Sequence, residues 1–429
     1  MQDGAPLCLE AHTAHIEALQ TDGHLLVSQC LAGRLVVWDT LTGQILSRIS
    51  RSVRQAEQRT TTENNCQNFL PKKKCFQGAA FRNHLRSRKS RSVLYNKFAD
   101  DFTTDCDARQ PDILSSSSIW SLDMAEGLVV VGCDSGQVEV FDVMTGELRC
   151  QYDDRRSNGV THLRLLPGRV VVARLDGHLE YLEIVSWSQQ TSAASRSRMR
   201  LISTGSNDSV VSYGEELGLS LTCSVRAHLQ SISCLEVRGP RLITGSADHT
   251  LRVFRPEDGL SVYTLHGHSG PITCVFIDKL SPSTAGSASK DGMLCVWDLL
   301  TGACMYSIQA HSGAVIDIAH SPSCVVTLGE DAKLCVWERH QGHLLNSVDT
   351  SGDSLSQLVM LTHNLIVTAS GTSLVVWDVR LSQPVKIVRL RGRGSEPVKI
   401  IEQCGDTIIC SQANLIRLVR FPILTQKID

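Results

Sequence analysis

A short apolar strand recurs down this chain, ending in an aromatic–acid pair in five of seven places, and that recurrence limits the fold more than any other feature. The runs are "GRLVVWD" ending at Asp39, "GQVEVFD" at Asp142, "GHLEYLE" at Glu183 and "HTLRVFR" at Arg255. "GMLCVWD" at Asp298, "AKLCVWE" at Glu338 and "TSLVVWD" at Asp378 follow. The later ones lie about 40 residues apart, and the earlier intervals are lengthened by insertions. Each run follows an apolar strand and a polar tight turn, as in "LLVSQCLAG" and "LIVTASG". Several precede a Thr-Gly turn: Thr42-Gly43, Thr145-Gly146 and Thr301-Gly302. A period of this size made of short strands and turns predicts a unit of four antiparallel strands that buries its faces against copies of itself.

Such a unit is the blade of an all-β WD40 β-propeller, and the pattern predicts one propeller domain over residues 1–429. Eight blades are expected, with seven as the alternative if the irregular third is only half formed. After Asp378, "PVKIIEQ", "DTIICSQ" and "LIRLVRF" read as three strands of a last blade without a fourth. A lone strand in "PLCLEAHTA", Pro6 to Ala14, is expected to complete it and close the ring without an exposed edge.

Within a blade, four polar residues recur at fixed places: His268, Ser287, Asp291 and Trp297, and then His311, Thr327, Asp331 and Trp337. The indole N–H is a donor only, so a buried Trp needs an acceptor, which the hydroxyl supplies. These sets read as structural tetrads rather than catalytic triads. Blade 1 offers His12, Ser28 and Trp38, with Ala32 in the Asp place. In "TGSADHTLRVFRPEDG" Thr244 and Asp248 keep their places, with His228 upstream, but Phe254 replaces Trp. The hydrogen-bonded chain should therefore stop at Thr244, while ring burial still holds the blade.

Two segments break the period. Residues 51–118 contain "PKKKC" and "RSRKSRS" and are expected to form a disordered basic insertion between blades 1 and 2. Arg51 to Phe98 alone holds 12 Lys/Arg against two acids, while the whole chain has a formal net charge of -2. No stacking aromatics are interleaved in the Arg/Lys run "RSRKSRS" itself, which weakens a nucleic-acid reading, and no nucleic acid is expected as partner. Residues 186–212 are Ser-rich and read as a mobile insertion near blades 3 and 4. The sixteen cysteines are scattered without a C-x-x-C pair, and no secretory signal opens the chain, which favours reduced core thiols. No apolar run approaches the roughly 18 residues that span a bilayer, so no direct membrane insertion is expected. The chain has no G-x-S-x-G, P-loop or H-E-x-x-H motif, and "HGHSG" at His266 to Gly270 is explained by the tetrad role of His268. A non-enzymatic chain without catalytic, cofactor or metal residues is expected.

Three stretches are more specific than a generic WD repeat: "SSSSIWSLDMAEGLVVVGCDSGQVEVFDVMTGEL", "ITGSADHTLRVFRPEDGLSVYTLHGHSGPITCVFID" and "HLLVSQCLAGRLVVWDTLTGQIL". They resemble the C-terminal WD40 region of the SREBP cleavage-activating protein (SCAP) family, over nearly the whole chain. The resemblance implies a protein-binding propeller at the cytosolic face of endoplasmic-reticulum and Golgi membranes. Its implied partner is the C-terminal regulatory domain of SREBP, escorted from endoplasmic reticulum to Golgi when sterol is low. The family's membrane-spanning, sterol-sensing region has no counterpart here, so the chain reads as a fragment or isolated domain. From turn geometry, the candidate partner-binding residues are Arg34, His249, Arg252, Lys290 and Lys333. The turns also carry His178, Asp134 and Glu330, a mixed ring suited to a peptide or acidic helix. The competing readings are a substrate receptor of a ubiquitin ligase and a generic assembly scaffold.

Overall fold

The two middle strands of each repeat are apolar on both faces, and this dictates how the repeats assemble. In blade 1 the second strand, Leu25–Cys30, and the third, Leu35–Asp39, are buried almost throughout. A strand buried on both faces must be covered on both sides. One blade cannot do that for itself, so each is sandwiched between two neighbours.

The computed structural model describes residues 6–49, 51, 117–153, 158–186, 217–350, 355–381, 383–390 and 396–421. Among these residues, eight four-stranded antiparallel sheets form. The blades cover 16–49, 119–153, 160–226, 232–265, 272–309, 315–349 and 355–389, with 398–420 in the eighth. Strands are lettered a to d in chain order within each blade. The a strands of successive blades lie against one another and form the inner wall of the ring. The third blade is complete, because its d strand, Leu217–Arg226, resumes after the Ser-rich segment. The count is therefore eight. Of the expected 186–212 insertion, Ser186 instead ends the c strand His178–Ser186, and the rest lies outside the described residues. Of the expected 51–118 insertion, all but Arg51, Ser117 and Ser118 lies outside them.

Ring closure follows the reading from the ends of the chain. Leu7–Glu10 pairs antiparallel with Leu415–Arg420 and becomes the d strand of blade 8. Leu9 is buried there among Ile16, Trp38, Ile409 and Ile416, residues of blades 1 and 8. The seam is tied further by Ile16 N–H donating to Ala413 O (2.9 Å) and by the Lys399–Glu17 ion pair (2.6 Å). Elsewhere side chains of the a strands bond the backbone of the next blade. Asp123 accepts from Leu165 N–H (2.7 Å), Asp317 from Leu358 N–H (3.0 Å) and Gln357 from Ile401 N–H (2.8 Å).

The c–d turn glycines have a packing role at the outer rim. A Cβ on Gly302 would meet the ring of Tyr263 from the preceding blade, and one on Gly342 would meet Tyr306. The Tyr306 hydroxyl then donates to Arg339 O (2.7 Å). Each tyrosine thus lies flat over the next blade's turn, which only a glycine permits.

Closure by a single short strand makes a testable demand. Leu9→Ala should cost about 2–4 kcal/mol, as expected for opening a cavity in a packed core. Urea unfolding followed by tryptophan fluorescence measures this, and an unchanged midpoint would show that the N-terminal strand does not carry the closure.

Candidate functional site

One face of the ring carries the b–c turns and the d–a loops, and a repeated polar chain fixes both. In blade 5, Trp297 Nε1–H donates to Ser287 Oγ (2.8 Å), and that hydroxyl lies 2.8 Å from His268 Nε2. His268 Nδ1 lies 3.2 Å from Asp291. Asp291 in turn accepts from Ser269 N–H (2.7 Å) and Met293 N–H (2.8 Å). Burial keeps the imidazole neutral, and the carboxylate beside Nδ1 places the ring's one proton there. Nε2 then accepts from the hydroxyl, whose oxygen accepts from the donor-only indole. Blade 6 repeats the set through Trp337, Thr327, His311 and Asp331 at 2.8–2.9 Å. Both expected tetrads are therefore assembled, and each pins a b–c turn to the loop that enters the same blade.

The other blades depart from this set in informative ways. In blade 4, His228 bonds Thr244 (2.8 Å) and Asp248 (3.1 Å), while Phe254 is fully buried against Leu179 and Tyr181. The chain of bonds ends at Thr244, as its sequence implied. In blade 1, Trp38 and His12 both reach Ser28, at 2.8 and 2.7 Å. Ala32 leaves His12 Nδ1 buried with no hydrogen-bond partner among the described residues. Burial, aided by the charges of Arg48 and Arg34, pushes His12 down to about 4. Burial also lowers His228, His268 and His311, against the pull of their aspartates. Burial acts to raise Asp248, yet the Thr250 hydroxyl, Leu229 N–H and His228 together hold it at about 2. In blade 7, Trp377 reaches Thr368 (2.8 Å), but the place of the histidine falls at Ser351, outside the described residues.

Blades 2 and 3 use a different device, which sequence reading missed. Val131 and Val172 take the hydroxyl place, and the residues opposite them on strand c are Glu139 and Glu180. Each glutamate receives an arginine. Arg174 meets Glu180 through Nε (2.9 Å) and Nη2 (2.7 Å), with both side chains 1% exposed. Its Nη1 donates to Gly136 O of blade 2 (2.6 Å) and Asn158 O (3.0 Å). Arg51 likewise forks onto Glu139 (2.7 and 3.1 Å) and donates to Ser117 O (2.7 Å). The guanidinium has five donors in a fixed fork, enough to serve a carboxylate and two carbonyls at once. The available signal was the acid inside the apolar runs "GQVEVFD" and "GHLEYLE".

The candidate partner residues do not form one cluster. Arg34, His249 and Lys290 lie at b–c turns of blades 1, 4 and 5 on the tetrad face, and Lys333, read as a turn residue, opens the c strand Lys333–Glu338 of blade 6 beside its turn. Arg34, His249 and Lys333 are exposed and Lys290 is half-buried. Arg252, read as a turn residue, is instead half-buried within the c strand Leu251–Phe254. Its Nε has no hydrogen-bond partner among the described residues. The acids Asp134 and Glu330 interrupt the bases, at the turns of blades 2 and 6.

Residues 90–419 match the family model described as the SCAP β-propeller. The chain belongs to the SCAP β-propeller family. It is 34% identical over 320 residues to the sterol regulatory element-binding protein cleavage-activating protein of Xenopus laevis. That match covers 73% of this chain but 24% of the relative. A p21-activated protein kinase-interacting protein 1-like protein of Xenopus laevis is 30% identical over 110 residues, covering 26% of this chain and 30% of that one. The chain thus spans about a quarter to a third of the length of these relatives. Among solved structures, Saccharomyces cerevisiae Sqt1 superposes with a TM-score of 0.66 at 12% identity, covering 98% of this chain and 100% of that one. The designed protein Ika8 gives 0.65 at 18%, with the same coverage, and both share the fold.

This SCAP-type propeller makes two demands on its polar chains. Arg174→Met leaves Glu180 buried without its cation and should cost about 3–5 kcal/mol. Adding Glu180→Leu should recover most of that loss in a double-mutant cycle read by urea unfolding. Equal loss in the single and double variants would show that the arginine acts only through Gly136 O and Asn158 O. The second demand concerns pH. Because His12 binds a proton less readily when folded than the ordinary 6.5, the unfolded chain takes up more protons between pH 6.5 and about 4. Stability should therefore fall as pH drops through that window. Ala32→Asp supplies the missing acceptor and should flatten the fall, as a melting-temperature profile of the two chains would show.

Proposed function

We propose that this propeller is the non-enzymatic docking domain for the C-terminal regulatory domain of SREBP. The observation that carries this reading is the SCAP-family match across 90–419, joined to the 34% identity with a relative named for SREBP cleavage activation. In this reading the chain works at the cytosolic face of endoplasmic-reticulum and Golgi membranes. It serves sterol-regulated transport and activation of SREBP, while sterol sensing lies in the parts of the larger relative that this chain does not span.

The tetrad face supports docking there. Its turns are held by buried hydrogen bonds, so a partner meets a surface that is already ordered. Arg34, Arg252, Lys290 and Lys333 supply positive charge on or just beneath that face, with His249 among them as a polar ring, and such charge mainly speeds encounter with an acidic partner. Capture of purified SREBP regulatory domain by the immobilised chain tests the reading. Reversing all five bases to Glu should weaken capture by about tenfold or more, equal to about 1.4 kcal/mol. The unaltered chain should also lose affinity as salt rises from about 0.05 M to about 0.3 M. Full capture after the charge reversal would remove these residues from the site, and no capture by the unaltered chain would remove the SREBP reading.

A further inference from the structure

The Arg–Glu fork of blade 3 has a counterpart in blade 8 whose charges do not balance. In blade 3 the last residue of strand b, Arg174, meets the third residue of strand c, Glu180, and also donates to Asn158 O (3.0 Å). In blade 8 Gln412 ends the b strand Thr407–Gln412, and Arg417 is third in the c strand. Gln412 keeps the outer bond, its Nε2 donating to Glu396 O (2.8 Å). Asn158 and Glu396 are equivalent, each two residues before strand a, which begins at Val160 and Val398. Gln412 Oε1 then accepts from Arg417 Nε (3.2 Å). The pair is reversed, with the cation on strand c and a neutral amide where its carboxylate would be.

Arg417 is 6% exposed and forms no ion pair among the described residues. Its surroundings supply no anion. Cys410 and Cys8 lie directly opposite it on strands b and d. Burial pushes Cys410 up to about 12 and raises Cys8 as well, so both stay thiols beside the guanidinium. Glu396 turns its carboxylate to His15 (3.3 Å). Glu10 is exposed and lies diagonally across from Arg417, and no ion pair joins them. Cys410, on the same side of the sheet, packs with Val367 and Val376, so Arg417 faces blade 7. Unlike Ser411 Oγ in the same blade, its Nη nitrogens are not sealed from solvent. A charge withdrawn this far from water is costly unless something pairs it.

We propose that Arg417 is the floor of a site for one oxyanion, entering between blades 7 and 8 from the tetrad face. The guanidinium has five N–H donors in a plane; Gln412 takes one, and the Nη groups keep the other four for a pair of oxygens. A carboxylate is the class that blade 3 builds in at this level, and phosphate presents the same oxygens. The site stands whether or not the SREBP docking reading holds.

Thermal unfolding of the full chain in acetate or phosphate, with ionic strength held constant by chloride, tests this. An anion that binds should raise the melting temperature by about 2 °C at about tenfold its dissociation constant. Arg417→Met should abolish that rise. Without added anion this variant should melt no lower than the unaltered chain, since Met fills the space without an unpaired charge. Arg174→Met, which strands an acid, should do the opposite. Cys8→Asp sets a carboxylate opposite the guanidinium and should also abolish the rise, which keeps the result interpretable if Arg417→Met disturbs the blade. General exclusion of phosphate from protein surfaces acts on every variant alike. An equal rise in the unaltered chain and Arg417→Met would overturn the proposal, as would no rise in either anion. Equal loss of stability in Arg417→Met and Glu10→Gln would make those two an internal pair and overturn it as well. Capture of purified SREBP regulatory domain then separates the sources of the anion. Capture weakened about tenfold by Arg417→Met assigns the site to a carboxylate of that partner, and unchanged capture beside a lost anion response assigns it to a free small anion.

Discussion

Each blade has two apolar faces and can bury neither alone. Everything else in the molecule answers that constraint. Strands such as Cys324–Gly329 are buried along their whole length, so they are stable only between two neighbours. A row of such units must therefore close on itself or leave an apolar face in water. Closure falls to the shortest kind of element, the strand Leu7–Glu10, which joins sequence positions some four hundred residues apart. The carboxylate and amide links between a strands make the same point at the inner wall, since Asp123, Asp317 and Gln357 each bond the blade that follows.

Stacking fixes the blades, but it does not fix the turns at their ends. Two devices do so here. One is a chain of Trp, hydroxyl, neutral imidazole and carboxylate in blades 5 and 6. The other is a charged Arg–Glu fork in blades 2 and 3. They are alternative solutions at one location, because Val131 and Val172 occupy the hydroxyl place and the glutamates lie directly opposite them. The fork reaches farther than the tetrad. Arg174 binds within blade 3 and to Gly136 O of blade 2, so it fastens two blades where a tetrad fastens one. Burying two charges is costly unless they are paired and their remaining hydrogens placed, and Arg174 meets both conditions. Arg51 does the same work from outside its blade, joining the exit of blade 1 to strand c of blade 2.

How much of this could be read from sequence depended on how local the determinant was. The recurring "VWD" runs fixed strands b and c, because a period near 40 has few other physical readings. The tetrads were legible because their members fall at constant offsets within one repeat. Phe254 was legible for the same reason, since an aromatic without N–H cannot extend the chain of bonds. Arg252 was misplaced because the turn in "SADHTLRVF" is tighter than its polar residues suggest, and the strand has already begun at Leu251. The Arg51–Glu139 fork was missed because its partners are not local, whereas Arg174 and Glu180 lie six residues apart in one hairpin and were passed over inside runs read only for their apolar pattern. Arg51 lies 88 residues from Glu139 and at the edge of a run of bases that seemed to belong together. Hydrophobic periodicity reports which face is buried, but it does not report which distant charge enters that face.

The tetrads also grade the turns as presenters of charge. His249 directly follows Asp248, and Lys290 directly precedes Asp291. Lys333 donates its backbone N–H to Asp331 (3.3 Å). In these three blades the base sits on backbone that the buried histidine holds through its aspartate. His249 adopts a positive φ of 70°, the left-handed place in the turn that Gly292 and Ala332 take in the next two blades. Arg34 has no such support, since Ala32 stands where the carboxylate would be. A side chain on a fixed turn loses less freedom on binding than one on a turn that must first be ordered. The backbone under the bases of blades 4 to 6 is therefore held more firmly than that under Arg34.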